Sequence, residues 1–242
     1  MKRVLDVFLS SLGLICLLPL LLPVMFLIWA QDRHSPFYIA PRVGARERPF
    51  RMVKLRSMLI NADKSGVDST AANDRRITPV GVFVRRYKLD EVMQLWNVLK
   101  GDMSLVGPRP NVERETRMYT PTEKHLLTVR PGITDFASIV FADEGEILQG
   151  RADPDLAYNQ LIRPWKSRLG LFYVEKMSVG LDLTLIALTI NAIISRQSAL
   201  QAVARLLEKR GADKELVRIA YRNSELLPAP PPGSNEIVSQ RH

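Results

Sequence analysis

Between Arg85 and Pro110 the chain crowds together the side chains that phosphate chemistry needs. Arg85, Arg86 and Lys88 run directly into Asp90 and Glu91, and the segment closes on Gly107-Pro108-Arg109-Pro110. The two carboxylates fall at a predicted helix start, where free amides and the helix dipole favour ionised carboxylates and anions. An ionised aspartate can attack phosphorus or hold a hard cation such as Mg²⁺. The plain alternative is a helix cap, with aspartate bonding the first amides and glutamate complementing the dipole. Arg109 favours chemistry over capping, because proline on both sides restricts its backbone and a guanidinium held in place suits two-point phosphate binding. By spacing alone, a solvated arginine on a surface turn also fits.

Composition narrows what these residues act on. A chain of 242 residues, 46% hydrophobic, buries one sizeable core with at most a small appendage. The formal charge of +9 calls for an anionic partner: nucleic acid, lipid headgroups or a phosphorylated substrate. Nucleic acid is the poorest fit, since no aromatic stacking platform interleaves with the cations. The single cysteine, Cys16, excludes an internal disulfide, and the three histidines have no zinc-ligand spacing.

The elements that must position the cluster begin with a membrane-seeking run. Val7 to Ala30 carries no charge, and as a helix it would reach about 36 Å, enough for a hydrocarbon core of about 30 Å. Both flanks are basic: Lys2 and Arg3 precede it, and Arg33, Arg42, Arg46, Arg48, Arg51, Lys54 and Arg56 follow it against Asp32 and Glu47. Basic flanks favour the cytoplasmic side, so a simple span would place one on the wrong face. Pro19 and Pro23, in adjacent turns, each lack an amide hydrogen and are predicted to break the helix, returning the chain as a re-entrant hairpin over residues 1–31. A spanning anchor with a proline kink is the competing form.

Beyond the run, the pattern predicts an α+β, predominantly helical catalytic domain over residues 32–195. Residues 36–44 and 49–55 read as a small β-hairpin, and 61–78 as a polar loop over the site. Helices are expected at 79–86 and 89–99, the second with Val92, Leu95, Trp96 and Leu99 on its apolar face and Gly101 closing it. Short helices over 111–119 and 121–129 lead to a Pro131-Gly132 turn. Two longer ones follow, over 153–172 and 174–195, the latter apolar enough to lie on a bilayer. Residues 196–225 read as a charged amphipathic helical extension around Gly211, able to pair subunits in a homodimer or simply to face solvent, and 226–242 as a disordered Pro-rich tail.

Leu89-Asp90-Glu91 and the run from Gln94-Leu95-Trp96-Asn97 through Gly101-Asp102-Met103-Ser104 to Gly107-Pro108-Arg109-Pro110 resemble the bacterial sugar transferases, the small monotopic phosphoglycosyl transferases. Lys54-Leu55-Arg56-Ser57-Met58 and Arg130-Pro131-Gly132-Ile133-Thr134 extend the resemblance over roughly residues 1–195. It implies a bacterial inner-membrane enzyme with its domain on the cytoplasmic face, passing a sugar 1-phosphate from a UDP-sugar to polyprenyl phosphate. Asp90 would attack the β-phosphorus, release UMP and hold the sugar phosphate until the lipid phosphate displaces it. Glu91 would place Mg²⁺ or the incoming phosphate, and Arg109, Lys54 and Arg85 would neutralise phosphate charge. Capsule, O-antigen and exopolysaccharide synthesis all fit. Leu18 before Pro19, Lys88 before Leu-Asp-Glu, and Thr134-Asp135-Phe136-Ala137-Ser138 depart from the family's usual residues, the last near the expected nucleotide-sugar region. Two other classes stay open: a noncatalytic membrane-surface protein binding anionic lipid, and a phosphodiesterase that needs no lipid phosphate.

Overall fold

Lys2–Asp32 forms one helix, α1, that continues through both Pro19 and Pro23. The predicted break is therefore absent, although a proline inside a helix costs about 3 kcal/mol. Packing on both sides of the prolines offsets that cost. Ser10 is buried before them, and Leu21 between them joins Val24 and Ile28 after them, with Leu55, Val84 and Leu89, in an apolar cluster. The computed structural model describes residues 1–62 and 74–239, so most of the loop expected over 61–78 lies outside the described residues.

The β-hairpin forms as predicted. Strand β1 (Phe37–Val43) pairs antiparallel with β2 (Pro49–Leu55), placing Tyr38 opposite Lys54. Helix α2 (Pro79–Arg86) is capped by Thr78, whose hydroxyl accepts from the Gly81 amide. The helix predicted over 89–99 is divided at Met93 into α3 (Leu89–Val92) and α4 (Gln94–Lys100), with Met93 itself in right-handed helical geometry. Its buried face is not the expected apolar one. Asp90, Gln94, Asn97 and Val98 point inward, whereas Trp96 is 51% exposed.

Strand β3 (Ser104–Val106) follows, and then α5 (Glu113–Arg117) and a 3-10 turn at Glu123–Thr128. In place of the predicted Pro131-Gly132 turn, Gly132–Thr134 is a strand, β4, parallel to β3. The principal core lies beyond it. It is built by α6 (Phe136–Val140), α7 (Glu144–Ile147), α8 (Pro154–Ala157), a π-helical turn at Tyr158–Ile162, α9 (Arg163–Lys176) and α10 (Val179–Ile194). Helices α11 (Arg196–Lys209) and α12 (Lys214–Tyr221) share this core through Val203, Ala204, Leu207, Leu216 and Ile219.

The tail expected to be disordered is hydrogen-bonded to the domain as far as Val238. Ala229 N–H donates to Gln160 O (3.0 Å), Arg168 Nη2 to Pro230 O (2.9 Å), and Gln160 Nε2 to Val238 O (2.7 Å). Prolines lower the entropy lost on ordering an extended chain, and their carbonyls still accept hydrogen bonds.

Both ends of α1 are fastened to the domain. Lys2 Nζ donates to Asp182 Oδ2 (2.6 Å) and Val106 O (3.0 Å), and Arg3 Nη2 reaches Leu99 O (2.8 Å) among the carbonyls that end α4. At the other end, Arg56 Nη2 binds Asp32 Oδ1 (2.7 Å), with Arg56 Nε on Ser35 O (2.9 Å). Asp6 accepts from the Ser104 hydroxyl (3.1 Å) and Leu105 N–H (3.0 Å). One side of α1 is thus held on the domain near both ends and beyond the prolines. Phe8, Ile15, Leu22 and Phe26 stand exposed on the rest of the helix, as do Ile190, Ile193 and Ile194 on α10.

Candidate active site

Three pieces of chain converge on Asp90 and Glu91, and each is held by a local device. The first is the junction between α2 and α3. Lys88 there has φ 56°, a left-handed conformation that costs a lysine about 1–3 kcal/mol and redirects the chain between Arg85 and Asp90. The second is β2, which carries Lys54. Asn97 stitches it to α4, accepting from Val53 N–H (2.9 Å) and donating to Arg51 O (2.7 Å).

The third piece is the Gly107–Pro110 turn. Gly107 N–H donates to Thr134 O (3.0 Å) and Gly132 N–H to Pro108 O (2.9 Å). The backbones touch so closely that a Cβ on Gly132 would lie 2.1 Å from Gly107 N, and one on Gly107 would lie 2.5 Å from Arg130 O. Only glycine fits both positions. The turn is thereby fixed, and Arg109 with it.

These devices bring together Asp90, Glu91, Lys54 and Arg109, with Arg85 alongside. Arg109 Nη2 lies 2.5 Å from Glu91 Oε1, and Lys54 Nζ 3.6 Å from the same oxygen. Burial works to raise the Glu91 carboxyl, but Arg109 and Lys54 outweigh it and hold Glu91 well below the usual carboxylate range. Asp90, 8% exposed, accepts no hydrogen bond among the described residues. Burial pushes its pKa up, and Lys54, Arg85 and Lys88 oppose that only in part. The two adjacent carboxyls therefore differ in kind: Glu91 is ionised and spoken for, and Asp90 is the more basic and unbonded one. Burial also lowers the Lys54 ammonium, with Glu91 propping it up. Arg85 makes no ion pair with Asp90 among the described residues.

Several contributors gave no advance signal. Glu144 on α7 supports the raised pKa of Arg109 and is itself paired with Lys166 on α9. Lys88 and Asn97 matter through a backbone angle and a cross-element bond, neither of which has a sequence signature. Among the described residues no group of three or more potential ligand side chains is preassembled for a metal. Asp90 and Glu91 still suit Mg²⁺, which commonly takes one or two carboxylates and completes its shell with phosphate oxygens and water.

Comparison with known proteins finds relatives over most of the chain. The chain is 34% identical over 213 residues to an exopolysaccharide production protein, ExoY, of Sinorhizobium fredii, covering 81% of this chain and 87% of that one. It is 35% identical over 206 residues to the undecaprenyl-phosphate glucose phosphotransferase of Komagataeibacter xylinus, covering 82% of this chain and 36% of the relative. It is 33% identical over 204 residues to the UDP-glucose:undecaprenyl-phosphate glucose-1-phosphate transferase of Xanthomonas campestris, covering 82% and 40%. The chain thus spans well under half the length of those last two relatives. The bacterial sugar transferase family matches residues 1–196, which include α1, the hairpin, Asp90, Glu91 and Arg109, and the chain belongs to that family.

Proposed function

We propose that this protein transfers a sugar 1-phosphate from a UDP-sugar to a polyprenyl phosphate through a covalent intermediate on Asp90, releasing UMP. The observation that carries the reading is the division of labour within the dyad. Glu91 is held ionised by Arg109 and Lys54, whereas Asp90 is buried, raised in pKa and free of hydrogen bonds among the described residues. A carboxylate stripped of donors is a stronger nucleophile than a solvated one.

In the first step an Asp90 oxygen forms a bond to the β-phosphorus as the bond to the UMP oxygen breaks, and the electron pair leaves with UMP. In the second, a polyprenyl phosphate oxygen attacks the same phosphorus and restores the carboxylate. Lys54, Arg85, Lys88 and Arg109 outnumber Asp90 and Glu91 by two charges, which offsets the two negative charges of a UDP-sugar diphosphate. Asp90 and Glu91 would hold Mg²⁺, which when bound supplies further charge neutralisation on the diphosphate. The relatives' named undecaprenyl-phosphate substrate supports the lipid acceptor.

The fastening of α1 supports the membrane placement. A helix pinned at Lys2 and at Asp32, and packed on the domain between, has both ends on one side of the bilayer. Its exposed apolar face enters the membrane and sets the site at the surface, where a lipid phosphate and a soluble nucleotide sugar meet. In a Cys16→Ser background, cysteines placed as Val4→Cys and His34→Cys react with an impermeant reagent from the same side. Opposite reactivity would mean a span.

The experiment for the chemistry is intact-protein mass spectrometry after mixing with UDP-sugars in the absence of lipid. A mass increase of one phosphosugar, absent in Asp90→Asn, supports the intermediate. The same increase in Asp90→Asn would remove the nucleophile assignment.

A further inference from the structure

Gln94 is 1% exposed, and among the described residues its Nε2 has no hydrogen-bond partner. A buried amide left unpaired is costly, and a domain that tolerates one does so for a reason. Gln94 stands four residues after Asp90, and Met93 between the two short helices keeps right-handed helical angles (φ −66°, ψ −13°). Both residues are buried on either side of the break at Met93, and helical side chains lean back toward the turn that precedes them. Glutamine and aspartate at that spacing form hydrogen bonds on helices. Here a donor and an acceptor, each unbonded among the described residues, are both buried, with Asn97 further along tied to β2. Gln94 thus lies between the nucleophile and the stitch that fixes Lys54's strand.

We propose that Gln94 is the positioning residue for Asp90: in the donor-bound enzyme its side-chain amide donates to one Asp90 oxygen and leaves the other aimed at phosphorus. The inference rests on the covalent role of Asp90. As the attacking oxygen bonds to phosphorus and UMP departs with the electron pair, the oxygen held by Gln94 becomes the carbonyl of the acyl phosphate. Gln94 keeps both its protons throughout. The bond fixes the rotation of the carboxylate, a freedom that would otherwise have to be lost in the transition state.

Two variants test this, with UDP-glucose, UDP-galactose and UDP-N-acetylgalactosamine as donors, polyprenyl phosphate as acceptor, Mg²⁺ present and UMP release as the readout. Gln94→Met keeps the volume and removes the amide. It is expected to lower kcat about 10- to 100-fold, change the donor KM less than about threefold, and leave the melting temperature unchanged or a few degrees higher. A merely structural glutamine predicts otherwise: kcat within twofold of wild type, or a loss of kcat that follows a fall in melting temperature. Either result overturns the proposal. Asp90→Asn run in parallel separates the two readings. If that variant is silent while Gln94→Met behaves as wild type, only the role of Gln94 falls. An active Asp90→Asn, or wild type silent on every donor, removes the covalent reading and this one with it.

Discussion

Arg109 Nη2 and Glu91 Oε1 lie 2.5 Å apart, and Lys54 shares the same carboxylate oxygen at 3.6 Å. Glu91 is thus the counter-ion of two cations, while its neighbour Asp90 makes no ion pair among the described residues. This asymmetry between adjacent residues supports the functional reading and makes it testable one side chain at a time.

Removing the counter-ion should shift titration rather than abolish folding. Burial lowers the Lys54 ammonium and Glu91 holds it up, so Glu91→Gln lets it fall further. The alkaline limb of kcat/KM against pH should move to lower pH in this variant, with turnover reduced about 10- to 100-fold. An alkaline limb that stays in place would detach Lys54 from Glu91.

Asp90 makes the opposite kind of contribution to stability. Its folded pKa is raised by burial, so the favourable protonated state is fully available below the unfolded pKa of about 3.9 and is lost as pH rises through the folded value. Asp90→Asn removes that loss. The variant should therefore melt a few degrees higher than wild type at neutral pH, with the gain vanishing below about pH 4. In wild type the acid limb of activity should lie above the ordinary carboxylate range for the same reason.

Gly132 should accept no side chain. An added Cβ would lie 2.1 Å from the Gly107 backbone nitrogen, so Gly132→Ala must part β3 from β4 and release the turn that holds Arg109. The expected cost is about 3 kcal/mol or more, measured by denaturant unfolding. Stability within about 1 kcal/mol of wild type would mean that the turn is fixed by other contacts.

The segment after residue 196 should prove indispensable although the family match ends there. Val203, Ala204 and Leu207 are wholly buried in the same core as Phe136 and Leu169, and Asp143 is bridged by Arg196 (2.7 Å) and Arg222 (3.1 Å). Each large aliphatic side chain contributes about 1.5–3 kcal/mol of burial. A chain ending at residue 196 should lose cooperative melting; a folded, active truncation would make these helices an appendage.

Much of the fold and site is legible in the sequence, and the exceptions share a cause. The hairpin, α2 and the carboxylate–arginine cluster follow from turn residues, caps and charge spacing, which act locally. Pro19 and Pro23 mislead because the local cost of proline is offset by Leu21, Val24 and Ile28 packing on a domain distant in sequence. The 89–99 segment misleads because its polar face, Asp90, Gln94 and Asn97, is the one turned inward, and Trp96 on the apolar face is left partly exposed. β4 resembles a turn because a three-residue strand beside Gly107 is defined by its partner and not by its own pattern. The tail has the composition of a disordered segment, and composition does not register the backbone groups that bond to Gln160 and Arg168.

The most direct measurement is UMP release from a panel of UDP-sugars by the full chain with Mg²⁺, with and without polyprenyl phosphate, for wild type and Asp90→Asn. Lipid-stimulated release by wild type and none by Asp90→Asn is the predicted result. Sustained release that ignores the lipid would contradict the transferase reading in favour of nucleotide-sugar hydrolysis, and release surviving in Asp90→Asn would contradict the role given to Asp90.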